Sequence, residues 1–550
     1  MEVEERTKPI AIFMAFGTKG DVYPIAAIAA GFAFDQRQYH VILITHSAHE
    51  SLRSHLAERN VAYYPISSPP FISTDHIQNT TELSISQQKK MLIRDHRREC
   101  YSVVEKTFGQ RPTMEDDCIV INFFALVWNC IPEGWSLAEL FQVRCIVAAP
   151  YVVPYSAPSS YERHFRKEHP LLYKYLLEAP RHKVCWEDVI HWMWPLYTEY
   201  WESWRRDLNL SSCPFTDPVT GLPEWHNRSS SPLLLYGFSK EVVECPDYWP
   251  SAVRVCGFWF LPVEWQFSCK KCGEISELVS AGHVNKKDEL CSDHVYLQSF
   301  LKNRIAEPLV FVGLSSAGRQ FLIRTMAQSI QRFQIELVYG LSLLSLFRAL
   351  WLESMGFLKD PLAFLHVLRG VLDITSYRII LFTADYKPLE AAIQVANAEA
   401  SLEMNHVQLS EDCFSLYNSR LFCFSGTIPY NWLFTHCAAA VHHGGSGSTA
   451  AALQAGIPQV LCPFMHDQFY WAERMYWLGV APEPLKRNHL FPESNDEASV
   501  QAAANVLSRA INDALSPDVR ARATDISGKI SLEDGVLEAV KCIKNEVQSP

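Results

Sequence analysis

Nowhere in the 550 residues is there a run of about 18 consecutive apolar residues, so no segment reads as a membrane-spanning helix. The most apolar window, Val338 to Leu350, is short and carries Arg348. The opening stretch Met1 to Arg6 is acidic and lacks the apolar core of a secretory signal. The 16 cysteines are therefore expected as reduced thiols in a cytoplasmic protein, one that touches membranes from outside at most. Concentrated positive charge is also missing. The formal charge is −11, and the short basic pairs Arg97-Arg98, Lys270-Lys271 and Lys286-Lys287 are scattered, which excludes a nucleic-acid partner. Charged residues make up only 20% against 48% apolar, which argues against extended disorder. There is no internal repeat, no low-complexity tract and no Ser/His/Asp spacing that stands out. Aromatic residues are abundant, with 15 Trp, and provide broad flat apolar surface.

The length exceeds one ordinary core and fits two domains with a connector. Ile10 to Phe16 is a nearly continuous apolar run, as expected of a parallel strand buried on both faces. The turn Gly17-Thr18-Lys19-Gly20-Asp21 follows, and Pro24 suits the first turn of a helix over Ile25 to Ala33. Further strands are expected at His40 to Thr45, Cys118 to Asn122 and Val143 to Ala148, alternating with helices. Ile190, Trp194, Tyr197, Trp201 and Trp204 recur at helical spacing, with Pro195 starting or kinking the helix; the stripe packs on the sheet, walls an acceptor pocket or forms a patch facing a membrane surface. A second α/β unit opens at Leu309 to Ser316 and continues through Arg378 to Thr383, Ala438 to Val441 and Gln459 to Cys462. The expected division is an acceptor domain over 1–249, a connector over 250–307, a donor domain over 308–490 and a helical, amphipathic tail over 491–550.

The chemistry concentrates in His442-His443-Gly444-Gly445-Ser446-Gly447-Ser448-Thr449, between an apolar strand and an Ala-rich helix that Gly456 stops. A diphosphate needs close backbone approach, which glycine permits, and unpaired N–H groups, which a helix start supplies. Ser446, Ser448 and Thr449 add hydroxyl donors, and a histidine at the strand end can donate to a phosphate oxygen. After one more strand comes Pro463-Phe-Met-His-Asp467-Gln468. An Asp-Gln pair there can grip sugar hydroxyls from the same side of the sheet, because ligands gather at the carboxyl ends of parallel strands. A glycine turn serving packing alone explains a bare Gly-x-Gly, but not these two blocks together.

The stretch from about Pro429 to Pro484 resembles the donor-binding signature of UDP-glycosyltransferases, in the branch that holds sterol 3-beta-glucosyltransferases and antibiotic glycosyltransferases. Gly17-Thr-Lys-Gly-Asp21-Val-Tyr-Pro24 is similar to that branch's opening motif, and Trp432-Leu433-Phe434 to its lead-in. The resemblance implies an α/β, GT-B architecture: two Rossmann-like doubly wound domains facing a central cleft. It implies that His443 and Gly444 to Thr449 hold the diphosphate of UDP-glucose, the co-substrate, and that Asp467 and Gln468 bind the glucose. Gly17, Thr18 and Gly20 would face the donor, and the loop from Ser425 to Trp432 would lie over the uracil. No catalytic cofactor is implied, the helix start replacing a cation. Inversion needs one base, and Asp21 is the candidate, with a helix-capping role as its structural alternative. A lipophilic alcohol, foremost a sterol, is the implied acceptor.

Two features depart from the family pattern. Some 37 residues, Ala317 to Glu353, stand where relatives pass shortly into a helix. They read as a surface excursion, or as a block to the donor site that would leave an inactive nucleotide-sugar-binding regulator. A non-sterol small-molecule acceptor is a third reading. In the connector, Cys269-x2-Cys272 and Cys291-x2-His294 are separated by 18 residues, close to the spacing of a structural zinc site. A cysteine-rich connector with chance spacing is the alternative.

Overall fold

The structure, a computed structural model, describes residues 7–548 apart from 71–84, 110–112, 123–132, 153–156, 158–159, 198, 227–228, 248, 284–288, 303–306, 314–359, 384–385, 402–406, 411–412, 465–466 and 493. The unusual insert 317–353 thus lies outside the described residues. The chain divides into two compact units, one drawn from residues up to 71, 86–261 and 533 onward, the other from 262–532.

The first unit is built on a seven-stranded sheet of order β3-β2-β1-β4-β5-β6-β7, parallel throughout. Its strands are β1 (Ile10–Met14), β2 (His40–His46), β3 (Val61–Ile66), β4 (Cys118–Asn122), β5 (Arg144–Ala149), β6 (Leu233–Tyr236) and β7 (Val253–Val255). β1 and β4 are buried at every position, because helices cover both faces of a parallel sheet. The edge strands β3 and β7 carry no comparable apolar run, and neither was expected; Pro65 is tolerated in β3 because an edge strand needs fewer ladder bonds.

Helix Lys19–Asp35 follows β1 and begins five residues before Pro24, which therefore sits in its second turn rather than its first. The early start follows from local bonding: Asp21 Oδ2 accepts from the backbone N–H and the hydroxyl of Thr18, both at 2.7 Å. That bonding secures the first turn. The aromatic stripe does not lie on one continuous helix. Helix Trp186–Asp188 passes into a π-helical turn Val189–Met193, a 3-10 turn Trp194–Tyr197 and a new helix Glu199–Asp207. Pro195 has no N–H to continue an α-helix, and the widened turn before it shifts the face. Val189, Trp192, Met193 and Leu196 become the buried set there, while Ile190, Trp194 and Tyr197 are only partly covered.

The second unit has a seven-stranded sheet of order β10-β11-β12-β9-β8-β13-β14. Its strands are β8 (Leu309–Gly313), β9 (Arg378–Phe382), β10 (Val407–Ser410), β11 (Cys413–Leu416), β12 (Leu421–Phe424), β13 (Ala439–His442) and β14 (Gln459–Leu461). β10, β11 and β12 run antiparallel to their neighbours in that meander, and the other pairings are parallel. Period-two alternation feeds two cores: Val310 and Val312 enter one, Leu309 and Phe311 the other.

The stretch 250–307 is not a free-standing connector. β7 completes the first sheet, and from Pro262 onward the chain packs on the second. The tail is three helices, Glu497–Ala514, Pro517–Ile530 and Gly535–Val547, rather than a body of its own. The first two join the second unit. The third packs in the first unit on helix Lys19–Asp35, where a side chain on Gly31 would meet Val536 at 2.8 Å.

Candidate functional site

In the second sheet the strand order reverses between β8 and β13, and β13 delivers the chain into His442-His443-Gly444-Gly445. A doubly wound sheet opens a crevice at such a switch point, beyond the strands' carboxyl ends. Helix Ser446–Ala455 then leaves, with Gly445 as its N-cap in extended conformation (φ −64°, ψ 143°) and Gly456 ending it at φ 70°. The first intrahelical bond runs from Thr449 N to Gly445 O at 3.0 Å. The backbone N–H groups of Ser446, Gly447 and Ser448 therefore precede the helical ladder. Gly445, Ser446 and Ser448 are partly exposed and Gly447 is exposed.

The two adjacent histidines do different work. His442 is fully buried; its Nε2 lies 2.9 Å from Gln459 Oε1, and its Nδ1 accepts from Gly444 N at 3.1 Å. Burial holds its pKa at about 4, so the imidazole is neutral, with its one proton on Nε2. His443 turns to the glycine turn instead. Burial and the neighbouring His442 hold it down at about 3, and its Nδ1 is buried with no hydrogen-bond partner among the described residues. Thr449 Oγ1, at the same helix start, is likewise buried and unpartnered. Two glycines make this arrangement possible. Gly444 sits at φ +84°, with Gln468 O 3.1 Å from where a Cβ would be, and a Cβ on Gly445 would overlap His443 Nε2.

β14 pairs in parallel with β13, His442 opposite Leu461, so the segment after β14 emerges at the same end of the sheet. There Asp467 begins helix Asp467–Leu478 and is partly exposed, while Gln468 is buried and accepts from Phe464 N at 2.9 Å through Oε1. Burial raises the Asp467 carboxyl to about 6, against its own backbone N–H and the Trp471 side chain, which favour the ion.

In the first unit the order reverses between β1 and β4, and Gly17 to Asp21 leaves β1 at that point. Asp21 is buried and engaged with Thr18 as described, so the capping role is realised. Gly17, Thr18 and Gly20 lie in the same turn, and His49 Nε2 donates to Gly17 O at 3.0 Å. Beneath it lies a buried polar group that sequence reading missed. Phe16 rests edge-on against His46 and His96, His96 Nε2 is 3.0 Å from Glu133 Oε2, and Arg97 Nε donates to Glu133 Oε1 at 3.0 Å. Burial opposes the charge on His96, yet Cys100 and Glu133 hold it up at about 10; burial likewise opposes ionisation of Glu133, which His96 and Arg97 favour more strongly, leaving its pKa lowered. These side chains come from β2, two helices and a loop, with no motif to join them in sequence.

Comparison with known proteins bears on this geometry. Residues 417–524 match the family described as erythromycin biosynthesis protein CIII-like, C-terminal domain, a span that includes the glycine turn and Asp467-Gln468. The sterol 3-beta-glucosyltransferase UGT80B1 of Arabidopsis thaliana is 22% identical over 555 aligned residues, 96% of this chain and 67% of that protein. The chain is thus similar along nearly its whole length to a sterol 3-beta-glucosyltransferase. The sterol 3-beta-glucosyltransferase of Saccharomyces cerevisiae (strain YJM789) is 41% identical over 123 residues, 22% of this chain but only 9% of that much longer protein. Among solved structures, the glycotransferase of kitacinnamycin aligns with a TM-score of 0.52 at 14% identity, covering 98% of this chain and all of that one. CalG4, the calicheamicin glycosyltransferase, aligns at 0.51 and 13% identity, covering 99% and 100%. These two likenesses show the GT-B fold.

The second unit brings His443, the Gly444 to Thr449 turn, Asp467 and Gln468 to one end of one sheet. Asp21 and Gly17 to Gly20 occupy the corresponding switch point of the first sheet. Cys269, Cys272, Cys291 and His294 gather elsewhere in the second unit, their ligand atoms all within 4.8 Å of one another. No described helix is long and apolar enough to cross a membrane.

Proposed function

We propose that the chain is an inverting glycosyltransferase that moves glucose from UDP-glucose to the hydroxyl of a sterol. The observation that carries the reading is the pair of orphaned buried polar atoms, His443 Nδ1 and Thr449 Oγ1, at a helix start on the switch point of the second sheet. An unsatisfied buried donor costs about 1–3 kcal/mol, and a diphosphate would supply the missing acceptors. The N–H groups of Ser446, Gly447 and Ser448 and the positive end of the helix would add to this. Together they would favour the charge that develops on UDP as the glycosidic bond breaks.

The acceptor oxygen attacks the anomeric carbon as UDP leaves from the opposite face, and the hydroxyl proton passes to a base. Asp21 is the proposed base; its place in the first helical turn beyond β1 and the resemblance of its motif support this, while its bonds to Thr18 show that it also fixes the turn. Asp467 and Gln468 are proposed to accept from and donate to the sugar hydroxyls. The names of the relatives support glucose and sterol as donor sugar and acceptor.

The test incubates purified protein with radiolabelled UDP-glucose and a panel of sterols and small phenols, alongside calorimetric titration with UDP. Labelled steryl glucoside is expected. UDP binding without product on any acceptor would mark a regulator instead, product only on phenols would overturn the sterol, and no UDP binding would overturn the donor site. Asp21→Asn should abolish transfer while leaving UDP binding intact; near-normal turnover would remove Asp21 from the mechanism.

A further inference from the structure

We propose that Cys269, Cys272, Cys291 and His294 form a structural zinc site that braces the donor-side loop of the second unit. Cys269 is the N-cap of helix Lys270–Ser280, with Cys272 in its first turn, and Cys291 is the N-cap of the short 3-10 turn Ser292–His294 that runs into helix Val295–Lys302. Two separate turns thus each present a pair of ligands at a spacing of three residues, as paired knuckles do in zinc ribbons.

The distances decide between zinc and chance. Tetrahedral zinc, with bonds of about 2.3 Å to sulfur and about 2.0–2.1 Å to nitrogen, sets sulfur–sulfur edges of about 3.8 Å and sulfur–nitrogen edges of about 3.5 Å. Cys269 Sγ and Cys291 Sγ stand 3.6 Å apart; His294 Nδ1 is 3.5 Å from Cys272 Sγ and 3.4 Å from Cys291 Sγ. A disulfide would need about 2.0 Å between sulfurs and has no use for a histidine. The surrounding bonds also suit a metal. The Cys291 N–H points at Cys272 Sγ from 3.4 Å, the kind of backbone donor that steadies a coordinated thiolate. Lys271 joins Asp293 at 3.0 Å across the two knuckles. Three sulfurs and one imidazole at tetrahedral spacing favour zinc over the hard cations, which take oxygen.

The consequence for the protein lies in what the site touches. The imidazole of His294 stacks edge-on to Phe424, the last residue of β12, at 5.9 Å. Just before Cys269, Ser268 Oγ donates to Thr427 O at 3.2 Å and the Phe267 ring meets Trp432 at 6.3 Å. Phe424, Thr427 and Trp432 frame the loop 425–432, which Asn431 ties to helix Ser446–Ala455 through Gln454 at 2.7 Å. The metal would therefore hold in place the loop expected to cover the nucleotide base, an effect that rests on the donor-site reading above.

The experiment measures metal in purified full-length protein by mass spectrometry, with no added zinc. About one zinc per chain is expected, released by a thiol-modifying mercurial. Replacement with cobalt should give the intense visible bands and thiolate charge transfer of a tetrahedral sulfur-rich site, a readout that needs no variant. His294→Cys should keep the metal and Cys272→Ser should lose it. Substoichiometric metal with all three cysteine ligands reactive to a thiol reagent, or an intact mass showing a Cys269–Cys291 disulfide, would overturn the site. If zinc is present and its removal raises the KM for UDP-glucose several-fold with little change in kcat, the bracing role holds. Unchanged kinetics in the metal-free protein would confine zinc to stability and refute the bracing. Zinc present in a protein that binds no UDP would refute the donor site and leave the metal site standing.

Discussion

His442 and Gln459 face each other across β13 and β14, Nε2 to Oε1 at 2.9 Å, at the point where the glycine turn leaves the sheet. The bond fixes the imidazole proton on Nε2, which frees Nδ1 to accept from Gly444 N. A strand-pairing residue thereby sets the geometry of a ligand turn. Gln459→Leu should leave the buried His442 proton unsatisfied, destabilise the fold by about 1–3 kcal/mol, and weaken UDP binding more than a surface substitution of equal stability cost. Calorimetry with UDP on both variants measures this.

Asp467 is expected to trade stability for function. Its folded carboxyl titrates near 6, above the unfolded value of 3.8, so above pH 6 the ionised group is a native-state cost. Asp467→Asn should therefore melt no lower than the parent at pH 7.5 while its KM for UDP-glucose rises at least about tenfold, the loss of a charge-assisted sugar contact. In the parent, the donor KM should climb as pH falls through about 6 and Asp467 takes up its proton. A pH-independent KM would separate Asp467 from the sugar.

Gly445→Ala should disable the turn while the fold survives. The new methyl would overlap His443 Nε2, forcing the imidazole away from the helix start. Gly444→Ala meets a different obstacle, a positive φ and the Gln468 carbonyl 3.1 Å from the new carbon, and should cost about 1–2 kcal/mol of stability. Thermal melts paired with UDP titrations should show Gly445→Ala failing mainly in binding and Gly444→Ala failing in both.

Acid should unfold the protein by way of its buried histidines. His49, His191 and His442 are held to about 4 and His443 to about 3, all by burial. Each is neutral in the folded chain where the unfolded chain, titrating near 6.5, is protonated. Their contribution is complete above pH 6.5 and is lost as pH falls from there toward 4, at up to about 1.4 kcal/mol per pH unit for each proton taken up. Asp467 opposes the trend between about 6 and 4, and His96, held up at about 10, opposes it above pH 6.5. The melting temperature should drop between pH 7 and pH 5; a flat profile would refute the assignment.

Glu133 carries the opposite risk, that of a buried ion pair broken. It is 1% exposed and sits between His96 and Arg97. Glu133→Gln should destabilise by about 3 kcal/mol or more, because two buried cations lose their counter-charge. Urea denaturation with an unchanged slope would give the value.

The apolar runs that became β1, β4, β9 and β13 were legible in the sequence because a strand buried on both faces must be apolar throughout. The glycine turn and the knuckle cysteines were legible too, since glycine at a strand-to-helix junction and ligand pairs three apart are local facts of spacing. Edge strands such as β3 were not, because half-solvated backbone leaves a weak pattern.

Tertiary structure alone decided which of His442 and His443 serves the fold and which faces the turn, for only the pairing of β13 with β14 brings Gln459 to the first. It also broke the aromatic stripe at Pro195, engaged Asp21 with Thr18, and gathered His96, Arg97 and Glu133 under Phe16. Periodicity reports which side of an element is buried. Which groups meet there depends on chain crossings that no short stretch of residues encodes.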